Sequence, residues 1–234
     1  MNRFNLYGDL LFESIKIIGT KPQHLTRHFS RLMKGAALLN FETDSFDFDI
    51  FEKEIINSIK KYFRLKSNNS NIARLRFVLY RNANGFYLPD SNKVNFYTEI
   101  FSFEPSLSIE PVSVGIYAEQ AKAPGPLAGI KSGNALIYVL ASIRAKENKL
   151  DDMLILNTNG NIIESTSSNI FWFSNGKWFT PPLKDGCVAG IMREIFMEEN
   201  VVTEKSCSLN DLINADKRQL SNAIQGIRDF VIIT

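Results

Sequence analysis

The chain has 234 residues, enough for one generous core or two modest ones. A net charge of +2 and a charged fraction of 22% give no basic stripe of the kind that binds nucleic acid, so polyanions are not the expected partners. No run approaches the ~18 uninterrupted apolar residues of a membrane span, and the opening Met1 to Asp9 lacks the apolar run and small-residue cleavage site of a secretory signal, which points to a cytoplasmic protein. Cys187 and Cys207 are isolated and without metal-type spacing; reduced, packed thiols are expected, with no disulfide and no metal site.

In chain order, residues 4 to 19 read as a hairpin-like opening, broken at Thr20-Lys21-Pro22. From 25 to 39, Leu25, Phe29, Leu32, Met33, Ala36 and Leu39 recur at helical spacing. His28 and Arg31 lie three apart on this helix, so their side chains project side by side and could converge on one ligand. A second amphipathic helix covers Phe48 to Phe63 and ends in the polar tract Ser67 to Asn71. Strand alternation begins at Ile72, with Ala73, Leu75, Phe77 and Leu79 on one face and Arg74 and Arg76 on the other; another strand spans about 93 to 102. Residues 104 to 110, around Glu104-Pro105-Ser106, form the natural linker between a first domain (1 to 103) and a second (111 to 234).

The second domain opens with a strand over Val112 to Ala118. A Gly/Pro-rich loop, Gln120 to Gly129, then leads to Lys131, and a helix follows from about 135 to 147. Asp152 to Asn157 and Asn161 to Ser165 make a hairpin about Asn159-Gly160; Asn169 to Phe173 and Lys177 to Thr180 make another about Asn175-Gly176. Gly190 opens a helix that ends near Asn200, and strands are expected near 201 to 207, 218 to 224 and 228 to 233.

A lysine before a helix, a hairpin-end carboxylate at Glu164, the hydroxyl run Ser165-Thr166-Ser167-Ser168 and a helix start at Gly190-Ile191 follow one another in order. The stretch Ile162 to Phe171, with Gly176, Thr180-Pro181-Pro182 and Gly190-Ile191-Met192-Arg193, resembles the signature of the class IV aminotransferases, the fold-type IV pyridoxal-phosphate enzymes. Tyr7-Gly8-Asp9-Leu10-Leu11-Phe12-Glu13-Ser14 and His28-Phe29-Ser30-Arg31-Leu32 resemble two further motifs of that family. The resemblance covers nearly the whole chain in the expected order.

It implies an α+β protein of two domains with the D-amino-acid aminotransferase-like fold: an N-terminal two-layer α/β sandwich and a C-terminal barrel-like α/β domain carrying the cofactor lysine. Pyridoxal 5'-phosphate is expected in the cleft between them, with a small-molecule amine as substrate and a homodimer as the assembly. Lys131 would hold the cofactor aldehyde and move protons, and Glu164 would pair with the pyridine nitrogen. Arg31 and the backbone amides of Ile191 and Met192 would take the phosphate, with His28 a supporting or phosphate-side partner. Met192 stands where many relatives carry threonine, so one phosphate hydrogen bond would be missing.

Family members include branched-chain and D-amino-acid transaminases and 4-amino-4-deoxychorismate lyase. Ser14, where lyase-like sequences carry a hydroxyl and branched-chain transaminases a glycine, and the segment Ser221 to Ile227 both resemble the lyase; Asn222 in that segment is assigned to the cofactor site. The expected reaction is release of pyruvate to give 4-aminobenzoate. An amino-acid transaminase with a keto-acid acceptor is the alternative, and a degenerate paralogue that binds the cofactor without turnover is a second. Arg74, Arg76 and Arg81 are candidate carboxylate binders for either substrate.

Overall fold

The structure, a computed structural model, describes residues 3 to 65, 71 to 104 and 110 to 233. It divides into two units, Met1–Ser106 with Ile130–Asn134 and Leu107–Gly129 with Ala135–Thr234. Part of the expected linker, 105 to 109, and the tract 66 to 70 lie outside the described residues.

The first unit contains α1 (Arg3–Tyr7), β1 (Leu10–Ile18), β2 (Lys21–Pro22), α2 (Leu25–Leu38), α3 (Phe48–Leu65), β3 (Ile72–Arg81) and β4 (Val94–Ser102). The strands form an antiparallel sheet in the order β2-β1-β3-β4. The expected hairpin over 4 to 19 is corrected: its first residues are helical, because Arg3 donates to the carbonyls of Gly85 (2.9 Å) and Phe86 and so ties α1 to the loop after β3. The turn at Gly19, with φ of 61°, brings only two residues back as β2.

Strand alternation gives this sheet two unlike faces. Leu11, Ile15 and Ile17 of β1 and Ala73, Leu75, Phe77 and Leu79 of β3 are buried in a core with Leu32 and Ala36 of α2 and Phe51, Ile55 and Ile59 of α3. Glu13 falls in the same apolar row and is 1% exposed. A carboxylate there costs several kcal/mol unless donors replace its water, and α2 supplies them. His28 Nδ1 donates to Oε2 at 2.6 Å, Arg31 Nε donates to Oε1 at 2.8 Å, and a terminal nitrogen of Arg31 donates to Oε2.

The second unit contains β5 (Val112–Lys122), α4 (Leu136–Glu147), β6 (Asp152–Asn157), β7 (Ile162–Ser165), β8 (Asn169–Ser174), β9 (Lys177–Thr180), α5 (Ile191–Glu199), β10 (Val202–Glu204), α6 (Leu209–Ile213), β11 (Lys217–Asn222) and β12 (Gly226–Ile232). Its sheet runs β10-β9-β8-β11-β12-β5-β6-β7, and β7 also pairs with β8, closing six strands into a barrel-like ring. Both hairpins turn where expected, with left-handed Gly160, Asn175 and Gly176. β6 is buried on both sides: Leu154 packs with Ile162, Ile170, Trp172 and Phe230, while Met153 and Ile155 pack under Ala141 and Ala145 of α4. Helix α6 was not anticipated; Ser208 and Asp211 form a capping box, a Ser-x-x-Asp signal standing just before Leu212 and Ile213. Among the described residues no helix is long and apolar enough to cross a membrane.

The Glu13 cluster predicts an acid sensitivity. Burial alone would raise this carboxyl, but the Arg31 charge and hydrogen bond, joined by His28, hold it at about 2 against an ordinary 4.5. Its contribution is therefore complete above pH 4.5 and is lost as the pH falls from there to about 2. Glu13→Gln leaves the largely buried Arg31 cation without its counter-charge and should cost about 3 kcal/mol at neutral pH. Urea unfolding from pH 2 to 7 should show a smaller fall on acidification in the variant than in the wild type; equal falls would remove Glu13 as the cause.

Candidate active site

Lys131 belongs to the first unit, a correction to its expected place in the C-terminal domain. The reason is an unfilled sheet edge. β2 covers β1 only at Ile17 and Ile18, and beside Leu10 to Phe12 the same edge takes the segment Ile130–Asn134 instead. Phe12 N–H donates to the Lys131 carbonyl at 2.9 Å, and Gly133 N–H donates to the Leu10 carbonyl at 3.0 Å. Close approach at this edge requires glycine: a Cβ on Gly133 would lie 2.9 Å from Leu10 Cγ and 3.0 Å from the Gly8 carbonyl oxygen.

Held in this way, the half-buried Lys131 places its ammonium 4.4 Å from the ring centroid of Phe12, on the sheet face opposite the helices. Alternation puts Ser14 on that face, and Arg74 Nη2 donates to its hydroxyl at 3.1 Å. Arg74 Nε is buried without a hydrogen-bond partner among the described residues. Burial and the neighbouring Arg76 charge lower the guanidinium's pKa from its ordinary value, so an anion bound here would relieve an under-satisfied cation. Arg76 is more exposed and lies 3.5 Å from Glu99. Arg81 is not a substrate group: it points into the other face, donating to Asp9 at 2.9 Å and the Leu39 carbonyl at 2.7 Å.

The expected phosphate residues of this unit are held more tightly than the helical spacing suggested. His28 is fully buried, and its Nδ1 is engaged by Glu13. The histidine braces Glu13 through Nδ1, and its Nε2 is buried without a hydrogen-bond partner among the described residues. Arg31 is fixed by two bonds to Glu13, which orient its guanidinium before any anion arrives. Glu13 itself was not singled out, although it stands inside the quoted Tyr7 to Ser14 motif; a carboxylate in an otherwise apolar strand row was the available signal.

In the second unit Glu164 is 3% exposed, on β7 opposite Ile155. Lys122 Nζ donates to Oε1 at 2.8 Å, Tyr138 OH donates to the same oxygen at 2.7 Å, and Val188 N–H donates to Oε2 at 2.8 Å. Lys122 and Tyr138 were not anticipated, since β5 was expected to end at Ala118 and instead continues to Lys122 through an irregularity in its pairing with β6. Cys187 lies nearby, and burial, then the Glu164 charge, push its thiol up to about 12, leaving it an uncharged packing group.

The hydroxyl run is organised by Asp152. Its carboxylate accepts from Ser165 Oγ at 2.7 Å, Thr166 Oγ1 at 2.6 Å and Thr166 N–H at 3.1 Å. Ser168 Oγ accepts from Asn222 Nδ2 at 2.9 Å, while Asn222 Oδ1 accepts from the amides of Ile224 and Gln225. Asn222 thus shapes the β11–β12 turn.

Helix α5 begins after Gly190 with no side chain capping it, so the amides of Ile191 and Met192 are the donors a helix start offers to an anion. Gly190 admits no side chain: a Cβ would lie 1.9 Å from Asn169 Oδ1, whose Nδ2 donates to the Val188 carbonyl at 2.8 Å. Arg193 is turned away, donating to the Pro181 carbonyl at 3.0 Å and to Glu204.

Within the second unit, the surroundings of Glu164 fit a pyridine nitrogen and the start of α5 fits a phosphate. A carboxylate offers about four acceptor positions; three protein donors occupy Glu164, and Oε2 keeps room for one N–H. The chain is also similar to known proteins. The chain is 29% identical over 222 residues to a protein of Methanocaldococcus jannaschii named as a branched-chain-amino-acid aminotransferase, spanning 91% of this chain and 74% of that one. It is 32% identical over 121 residues to the aminodeoxychorismate lyase of Vibrio harveyi, spanning 50% and 45%. The crystal structure of a Legionella pneumophila protein described as a 4-amino-4-deoxychorismate lyase superposes with a TM-score of 0.86 at 26% identity, over 99% of this chain and 85% of that one. With the amino-transferase class IV family model matching residues 10–233, the chain belongs to the class IV aminotransferases, a family of enzymes.

Proposed function

We propose that the protein is a pyridoxal-phosphate enzyme that releases pyruvate from 4-amino-4-deoxychorismate to give 4-aminobenzoate. The observation that carries the reading is the face shared by Lys131, Ser14 and Arg74, where an amine, a hydroxyl and an under-satisfied guanidinium stand together. Such a face suits a substrate with an amine to process and a carboxylate to anchor.

When bound, the cofactor supplies an electron sink next to the substrate amine. Lys131 would hold the cofactor by its aldehyde. Its amine would take the proton from the ring carbon bearing the substrate nitrogen. The electrons left behind expel the neighbouring enolpyruvyl oxygen, the ring becomes aromatic, and the departing enolate takes up a proton to become pyruvate. Glu164, whose Oε2 takes one protein donor, would hold the pyridine nitrogen and favour its protonated form. Arg31 and the amides of Ile191 and Met192 are the proposed phosphate donors. Ser14 and Arg74 orient the substrate carboxylate.

The transaminase reading rests on the relation to the Methanocaldococcus jannaschii protein over 91% of the chain. There Lys131 would carry the proton from the amino-acid Cα to the cofactor carbon, and a keto acid would complete the cycle. For the assembly we propose a homodimer, because Leu136, Val139, Leu140 and Ile143 of α4 are 72%, 51%, 45% and 50% exposed and form an apolar row.

Four outcomes check these assignments. Purified protein should show a visible absorbance band of lysine-bound cofactor, and Lys131→Ala should lose it; an unchanged spectrum would remove Lys131. Offered 4-amino-4-deoxychorismate or, separately, amino acids with 2-oxoglutarate, the protein should form 4-aminobenzoate only from the former. Arg74→Met should raise KM for that substrate about tenfold, the value of one charged hydrogen bond; amino transfer without 4-aminobenzoate would select the transaminase, and no response to either would select the inactive paralogue. Light scattering should give twice the chain mass, reduced to one chain by Leu140→Glu; a monomeric wild type would exclude the dimer.

A further inference from the structure

Glu164 sits in a closed triangle of donors. Lys122 ends β5 and Tyr138 lies in the first turn of α4, so two elements separate in sequence deliver a cation and a phenol to one carboxylate oxygen. Lys122 Nζ has three N–H groups, and each has an acceptor: Glu164 Oε1 at 2.8 Å, the Ala128 carbonyl at 2.9 Å and Tyr138 OH at 2.5 Å. An ammonium with every hydrogen engaged is a poor candidate for a nucleophile. Tyr138 closes the figure by accepting from Lys122 and donating to Glu164 at 2.7 Å. Burial, then the Glu164 charge, raise the Tyr138 phenol above its ordinary value, so it stays a donor at any working pH.

The arrangement uses the two oxygens of Glu164 unequally. Oε1 receives two donors and is filled, whereas Oε2 receives only Val188 N–H. Rotation of the carboxylate would break both bonds to Oε1 at once. The ion pair is largely withdrawn from water, with side-chain exposures of 14% for Lys122 and 4% for Glu164, so its charges are little screened. A buried pair of this kind is weak evidence for stability but does favour one orientation.

We propose that Lys122 and Tyr138 are positioning residues of the cofactor site, which lock Glu164 with Oε2 turned to accept the pyridine N–H. The proposal rests on the pyridoxal-phosphate reading and assigns a purpose to two side chains that reading does not use. It gives the ring nitrogen a fixed, singly vacant acceptor in place of a freely turning carboxylate. Neither residue touches the reacting atoms; both act through Glu164.

The test compares two ligands that differ at one atom. Full-length chain stripped of cofactor is titrated with pyridoxal phosphate and with its 1-deaza analogue, which has the same aldehyde and phosphate but a carbon in place of the ring nitrogen. Wild-type protein should prefer the natural ligand about tenfold or more, the value of one hydrogen bond to a charged group, and Glu164→Ala should abolish the preference. Tyr138→Phe, which removes only a hydroxyl, and Lys122→Met should cut the preference to about threefold or less while leaving the affinity for the deaza analogue nearly unchanged, and Lys122→Arg should restore it. Equal weakening of both ligands means a general packing role and overturns the proposal. So does a preference that survives in Tyr138→Phe and Lys122→Met but not in Glu164→Ala, a result that leaves the cofactor reading standing. A wild-type chain that binds neither ligand overturns both.

Discussion

A carboxylate taken out of water must recover its hydrogen bonds from protein or forfeit several kcal/mol, and each unit of this chain is arranged around one such group. Glu13 occupies an apolar row of β1, and α2 is held against the sheet with His28 and Arg31 facing that carboxylate. Glu164 occupies β7, and the ends of β5 and α4 meet over it through Lys122 and Tyr138. In both places the donors come from elements that also pack apolar side chains, so the polar contact and the core specify the same alignment.

The two clusters differ in what supplies the donors. Glu13 receives three bonds from a histidine and an arginine of one helix, so its effect passes outward through the orientation of Arg31. Glu164 also receives three bonds, two at Oε1 from the side chains of Lys122 and Tyr138 and one at Oε2 from the Val188 backbone, so three separate segments hold it.

Lys131 illustrates how a short strand can make a site. Because β2 pairs with only two residues of β1, the rest of that edge is open to a segment from far along the chain. The segment joins by backbone hydrogen bonds and close glycine contacts, which depend little on side-chain identity and hold the lysine on the face of Ser14 and Arg74. The family's reactions share the amine and the electron sink, and they part company in the groups that anchor the substrate. On this sheet face the proposed anchors are a hydroxyl and an arginine.

Periodicity and turn chemistry were enough to place α2, α3, both hairpins of the second unit and the start of α5, because 3.6-residue and two-residue patterns and Asn-Gly turns act over a few neighbouring positions. The order of Lys131, Glu164 and Gly190 likewise marked the family through residues that recur in sequence. Other features were not readable there. The opening helix depends on Arg3 reaching carbonyls more than eighty residues away, Lys131 joins the first unit because β1 lacks a neighbour, and Asn222 serves a turn through Ser168, fifty-four residues distant. The amino-acid order thus determined which elements form and which chemistry-bearing residues are present. Only the tertiary structure decided the partner of each buried charge, since a carboxylate out of water takes whichever donors the packing of remote elements brings within about 3 Å.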